Sequence, residues 1–229
     1  MRSVGIGAWR LGERLGVDLL GSTEGSRYVI DDERRRTFDA LVANARLSAD
    51  GTVDVAGCPY PVHELLTYLA TERGLLLHGS KDVSLEVLEP RPAHDFGTEL
   101  LAVVTTDDGI WPLFYAVLAR ERVEGIFTAC THFGRSPRLR RLYVFAIVGD
   151  PSAAETWTDG VVYAVPRAGF RREWGNEWVS PYPVRPLLRV PVRPYDFPLR
   201  AVVVGMEELR HVGRQLRAAK RGRTTRSTA

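Results

Sequence analysis

The chain predicts an α+β fold, and two patterns in its 229 residues carry that expectation. The first is a change of texture at Gly74: before it, apolar residues recur at helical spacing, and after it they gather in short runs broken by Gly, Pro and Asp. The second is a single crowded apolar stretch, GIWPLFYAVLARE, set among those runs, where a doubly wound fold would alternate strand and helix regularly.

Residues 1 to 30 are Gly-rich and weakly periodic, which predicts loops or short strands. From Asp31, DDERRRTFDALVANARLS has acid at its start and Phe38, Leu41, Val42 and Ala45 at helical spacing, so it reads as an amphipathic helix. PVHELLTYLATERG predicts a second helix, with Pro61 near its start, Val62, Leu65, Leu66 and Leu69 on one face, and Gly74 as its stop. His63 on this helix reads as a surface or half-buried side chain. The runs LLLH, ELLAVVTT, RLYVFAIV, DGVVYAVP, EWVS and PLLRVPV predict strands. GIWPLFYAVLARE predicts a buried helix that holds Pro112 in its first turn, where proline is tolerated. GMEELRHVGRQLRAAKRG predicts a C-terminal helix, and no internal repeat is visible.

Composition narrows the function. With 45% hydrophobic and 26% charged residues and no apolar run near the length of a bilayer span, the sequence predicts a soluble protein with one main core. The start MRSVGIGAWRLGERLG has no apolar signal region, and Cys58 and Cys130 are too few for a disulfide framework, which together predict a cytoplasmic location. The net charge of +3 is unevenly spread: residues 210 to 229 hold seven Lys/Arg and no acid, leaving 24 Lys/Arg against 28 Asp/Glu elsewhere. Such a tail is a candidate contact for nucleic acid or an acidic partner, or else a solvated end. RSPRLRR, from Arg135 to Arg141, reads as a solvated loop before a strand, or alternatively as a phosphate contact.

Several chemistries are disfavoured. His63, His78, His94, His132 and His211 are scattered without HxxxH or Cys/His ligand spacing, so no metal site is expected. No GxSxG elbow is present, and the GxG in VGIGAWRLG lacks both a preceding strand and its third glycine.

Three stretches place unusual residues on apolar runs. In GLLLHGSKD, His78, Gly79 and Ser80 close a strand: glycine permits close backbone approach to a ligand, while imidazole and hydroxyl supply donors and acceptors. Read alone, His78 is equally a ring satisfied by a backbone carbonyl. In LAVVTTDDGIWPLFYAVLA a strand runs into a helix carrying Trp111, Phe114 and Tyr115, rings that fill a core or form a stacking wall, with Asp107 and Asp108 as helix caps. In GNEWVSPYPVRPLLRVPV, Glu177 opens a strand between Asn176 and Trp178, either as an edge carboxylate or as a group that stabilises positive charge in a dry site.

In that order, the three stretches resemble the ADP-ribosyltransferase superfamily, in the H-Y-E branch of poly(ADP-ribose) polymerases and diphtheria-like toxins. The resemblance covers roughly residues 74 to 197 and implies a split mixed β-sheet that binds NAD as co-substrate. It divides the chain into an N-terminal mainly helical extension (1–73), an NAD-binding core (74–200) and a C-terminal helix with basic tail (201–229). By this resemblance His78 and Gly79 contact the adenosine ribose and the nicotinamide amide, Ser80 bonds the carboxamide, and Tyr115 stacks on nicotinamide. Glu177 is then the catalytic glutamate. One departure stands out: the strand position that carries the family's first tyrosine, eleven residues before Tyr115, is Val104. Trp111 is the candidate replacement ring. Gly175, two residues before Glu177, replaces the acid of arginine-modifying relatives, which disfavours arginine as acceptor.

The function so implied is mono-ADP-ribosyl transfer from NAD to a protein or nucleic-acid acceptor. The alternatives are an NAD glycohydrolase, an RNA 2'-phosphotransferase, and a degenerate module of this fold that binds nucleic acid or protein.

Overall fold

The computed structural model describes residues 23–24, 30–95, 98–133, 140–211 and 214. Its elements are β1 (Thr23–Glu24), α1 (Asp32–Leu47), α2 (Val62–Thr71), β2 (Leu76–Ser80), β3 (Arg91–Asp95) and β4 (Thr98–Thr106). They continue with α3 (Trp111–Val117), β5 (Gly125–Phe133), β6 (Arg140–Val148), β7 (Gly160–Val165), β8 (Arg171–Trp174), β9 (Glu177–Ser180), β10 (Leu188–Val192) and β11 (Val202–Val203). The α+β class holds. Most of residues 1 to 30 and of the basic tail, and positions 135 to 139 of the basic run, lie outside the described residues.

Two sheets are formed. Seven strands pair in the order β10-β7-β2-β4-β9-β8, with β3 also on β4, and every pairing in this sheet is antiparallel. The expectation of a mixed core sheet is therefore corrected: among the described strands the one parallel pairing is β11 on β6, in a second sheet of β1, β5, β6 and β11.

Helix α3 lies between the two sheets. Its Leu113, Phe114, Ala116 and Val117 share a core with Leu77, Val162, Ala164, Leu188 and Val190 of the larger sheet and with Tyr143, Phe145 and Ile147 of the smaller. Phe114 touches the Phe145 ring at a centroid distance of 4.9 Å. The same core includes Phe38, Val42 and Ala45 of α1 and Leu65, Leu66 and Leu69 of α2, the residues whose spacing predicted those helices. Asp31 caps α1 by accepting from the Arg34 N–H at 2.8 Å.

His63 departs from its expected place: it is buried in the first turn of α2, and its Nε2 has no hydrogen-bond partner. The helix turns it inward beside Leu66 and away from solvent, and burial holds its pKa below the ordinary imidazole value.

Candidate active site

Register places the three motif-bearing strands side by side. Leu77 of β2 is opposite Thr106 of β4, and Thr106 is opposite Glu177 of β9. At normal strand spacing this puts the Leu77 and Glu177 backbones about 10 Å apart.

Leu77–Thr106 is also the single paired position between β2 and β4. Beyond it the strands part. Backbone directions follow from the neighbouring pairs: Arg189 of β10 donates its N–H to Gly51 and accepts from Val53, so it faces away from β7. Strand alternation then turns Ala164 toward β10, where its carbonyl accepts from the Leu187 N–H at 2.8 Å, and turns Tyr163 toward His78. The N–H and C=O of Gly79 consequently point away from β7, into the gap that faces Val104.

His78 crosses that gap. Its Nδ1 lies 2.8 Å from the Val104 carbonyl, which only accepts, so Nδ1 carries the proton and donates. Burial holds the His78 pKa below the ordinary value, which favours the neutral ring with Nε2 as an acceptor. Because paired residues share a face, His78 lies in one row with Tyr163, Trp178 and Arg172, on the side of the sheet away from α3. Arg167 and Arg172 both sit over the Trp178 ring, at 4.6 and 5.3 Å from its centroid. Ser80 is on the His78 side too, and its hydroxyl accepts from the Asp82 N–H.

Glu177, Thr106 and Gly79 belong to the opposite, α3-bearing side. The sequence-derived set is thus divided by the sheet. Gly79 has a packing role as well: a Cβ there would lie 1.9 Å from the Pro112 carbonyl oxygen, so only glycine lets α3 seat so close to β2. Gly160 on β7 serves the same helix, 2.1 Å from the Ala116 oxygen by the same construction.

Trp111 and Tyr115, four residues apart on one face of α3, converge on one atom. Trp111 Nε1 donates to Thr128 Oγ1 at 3.0 Å, and the Tyr115 hydroxyl is 2.8 Å from the same oxygen. Burial, with a smaller push from the nearby Glu177 carboxylate, raises the Tyr115 pKa above that of an ordinary phenol. Both rings are half-buried. Tyr115, Trp111 and Glu177 therefore form one neighbourhood. Val104 shares its side of the sheet, and its branched aliphatic side chain supplies no flat ring.

The loop between β4 and α3 holds a hub that sequence reasoning saw only in part. Asp108 is fully buried, and its Oδ1 accepts from the Ile110 and Trp111 N–H groups at 2.8 and 2.9 Å, the expected helix cap. Its Oδ2 accepts from Arg141 Nη1 and from the Tyr143 hydroxyl, each at 2.6 Å, with Asn176 Nδ2 at 3.5 Å. Arg141, expected in a solvated run, is instead half-buried against this carboxylate. Asp107 is not a cap: it pairs with Arg172 at 2.9 Å, and its N–H donates to the Asn176 carbonyl. The residue before Glu177 is thus held on both sides, by Asp107 backbone and Asp108 side chain. Burial pushes the Cys130 thiol, near Asp108, far above the ordinary range, so it is no nucleophile at neutral pH.

Among the described residues no His/Cys/Asp/Glu group is arranged to hold a metal ion, and no helix is long and apolar enough to cross a membrane. No family model, curated protein or solved structure matches this chain.

Proposed function

We propose that the chain is an NAD-dependent mono-ADP-ribosyltransferase of the H-Y-E type, with NAD held in the gap between β2 and β4. The observation that carries this reading is the parting of those strands just past Leu77–Thr106, at Gly79 and Val104, with Glu177 in register beside the gap. A sheet opened there offers polar backbone to a ligand, where a closed one would consume those groups in pairing.

The residues present suit NAD in most respects. The Gly79 N–H and C=O, aimed into the gap, match the donor and acceptor of a carboxamide. In this reading Tyr115 offers a ring face to a flat heterocycle, and the Glu177 carboxylate accepts from a ribose hydroxyl. His78 Nε2 is an acceptor for a second ribose hydroxyl. His78 and Glu177 lie on opposite sides of the sheet, so in this reading they meet different parts of the ligand.

NAD supplies a ribose-nicotinamide bond that breaks with its electron pair leaving on the nicotinamide nitrogen, while the acceptor nucleophile forms the new bond to the anomeric carbon and gives up its proton to solvent. The contribution of the chain is electrostatic and positional: Glu177 offsets positive charge developing at the anomeric carbon, and the rings exclude water from the leaving base.

Incubation with NAD labelled on its adenylate half, in whole-cell lysate, tests the reading. Label retained on macromolecule supports a transferase, and nuclease and protease treatment then names the acceptor class. Free ADP-ribose alone identifies a glycohydrolase. Unconsumed NAD, together with salt-dependent nucleic-acid binding lost on removal of residues 210–229, identifies the degenerate binding module.

A further inference from the structure

We infer that Thr128 of β5 is a positioning residue for the NAD site: its hydroxyl fixes the angle of the Trp111 ring and the place of the Tyr115 hydroxyl end, so that a ring pair on α3 takes the place of the ring missing at Val104. This inference rests on the NAD reading above.

Indole Nε1 can only donate, so one lone pair of Thr128 Oγ1 is committed to Trp111 at 3.0 Å. The remaining lone pair and the single proton of Oγ1 face the Tyr115 hydroxyl at 2.8 Å. If Thr128 donates there, the phenol proton is left to turn toward Glu177 or a ribose hydroxyl. If Tyr115 donates, its hydroxyl end is held in place by the same contact. In both arrangements the two rings are tied to one atom on a different sheet: Trp111, whose Nε1 is off the Cβ–Cγ axis, cannot turn about that bond, and Tyr115, whose oxygen is on the axis, cannot swing about its Cα–Cβ bond, without breaking a hydrogen bond.

Packing explains why this control comes from Thr128. The Asp108 cap fixes the first turn of α3, including the Trp111 N–H, and Phe114, between the two rings in sequence, is locked against Phe145 and Phe197. The helix backbone is therefore set by the core, which leaves side-chain orientation as the remaining freedom of residues 111 and 115. Val104, on the same side as Glu177, cannot stack. A site with one ring wall in place of two depends more on that wall being held.

The test compares Thr128→Val, which keeps shape and removes the hydroxyl, with Thr128→Ser, which keeps the hydroxyl. NAD affinity is read by calorimetry, and KM and kcat by nicotinamide release. The expected result is a roughly 3- to 10-fold loss of NAD affinity and a matching rise in KM for the valine variant, with the serine variant within about 2-fold of wild type. Trp111→Phe, which retains a ring but deletes the donor, reports on the same junction if the valine variant does not fold, and it too is expected to weaken NAD binding by several-fold. Wild-type affinity in Thr128→Val or Trp111→Phe overturns the inference, as does equal weakening in the serine and valine variants, which would mark simple packing. Absence of NAD binding by the wild-type chain overturns the function reading and this role with it, whereas binding that Thr128→Val leaves unchanged overturns only the role of Thr128.

Discussion

Glu177 of β9 stands directly opposite Thr106 of β4, and this pair sits one strand away from Leu77, the last residue of β2 that pairs with β4. The carboxylate is thereby held at the level where the sheet begins to open.

Seating of α3 on β2 gives a prediction about stability. Gly79→Ala would drive a methyl group to 1.9 Å from the Pro112 carbonyl oxygen, a backbone atom that moves only with its helix. The expected loss is about 1–3 kcal/mol or more by denaturant unfolding. Gly205→Ala, with open space around the added carbon, is the matched control and should change stability by less than about 0.5 kcal/mol. Equal stability of the two variants would contradict the close approach.

The buried hub gives a second. Asp108→Asn keeps shape and removes the charge, which leaves the half-buried Arg141 without the carboxylate that faces it. A loss of about 3–5 kcal/mol is expected on chemical denaturation, since removing one partner strands the other charge. Because Asn176 is tied to the same carboxylate, a disturbed Glu177 environment should accompany it, visible as lost turnover in whatever fraction remains folded.

Much of the larger sheet was legible because most of its strands are apolar runs: β2, β4, β7, β9 and β10 all fall on predicted segments. β3, β5, β8 and β11 were not seen. RREW of β8 is a charged edge held by its pairing with β9, and GIFTACTHF of β5 intersperses Thr, Cys and His among its apolar residues. The cap by Asp108 was legible, but its partners Arg141, Tyr143 and Asn176 are 33, 35 and 68 residues away and leave no local pattern. Thr128 was missed for the same reason. The side of the sheet on which His78 and Glu177 fall depends on pairing register, which no single segment encodes.

Acid sensitivity follows from His78 and His63, whose pKa values both lie below the ordinary imidazole value through burial. The unfolded chain then binds more protons than the folded one near and below pH 6.5, so the contribution of these rings is fully present above that value. It is lost as pH falls from about 6.5 toward the depressed folded values. His78→Gln should flatten the stability profile between about pH 6.5 and 5 relative to wild type. A profile of unchanged slope would contradict a buried neutral His78.

Restoring the missing ring is a gain-of-function prediction. Val104 lies on the same side as Glu177, and Val104→Tyr would set a second aromatic face beside the gap. NAD affinity is expected to rise by roughly 3- to 10-fold, the worth of one aromatic contact, as read by calorimetry. Weaker binding in a folded variant would place the nicotinamide elsewhere.

The most direct measurement is the rate of nicotinamide release from NAD by wild type and by Glu177→Gln, with near-ultraviolet circular dichroism to show that both are folded. Removing a carboxylate that stabilises charge in the transition state is expected to lower the rate by about 100-fold or more while leaving NAD affinity within several-fold. Equal rates from the two folded proteins would contradict the account.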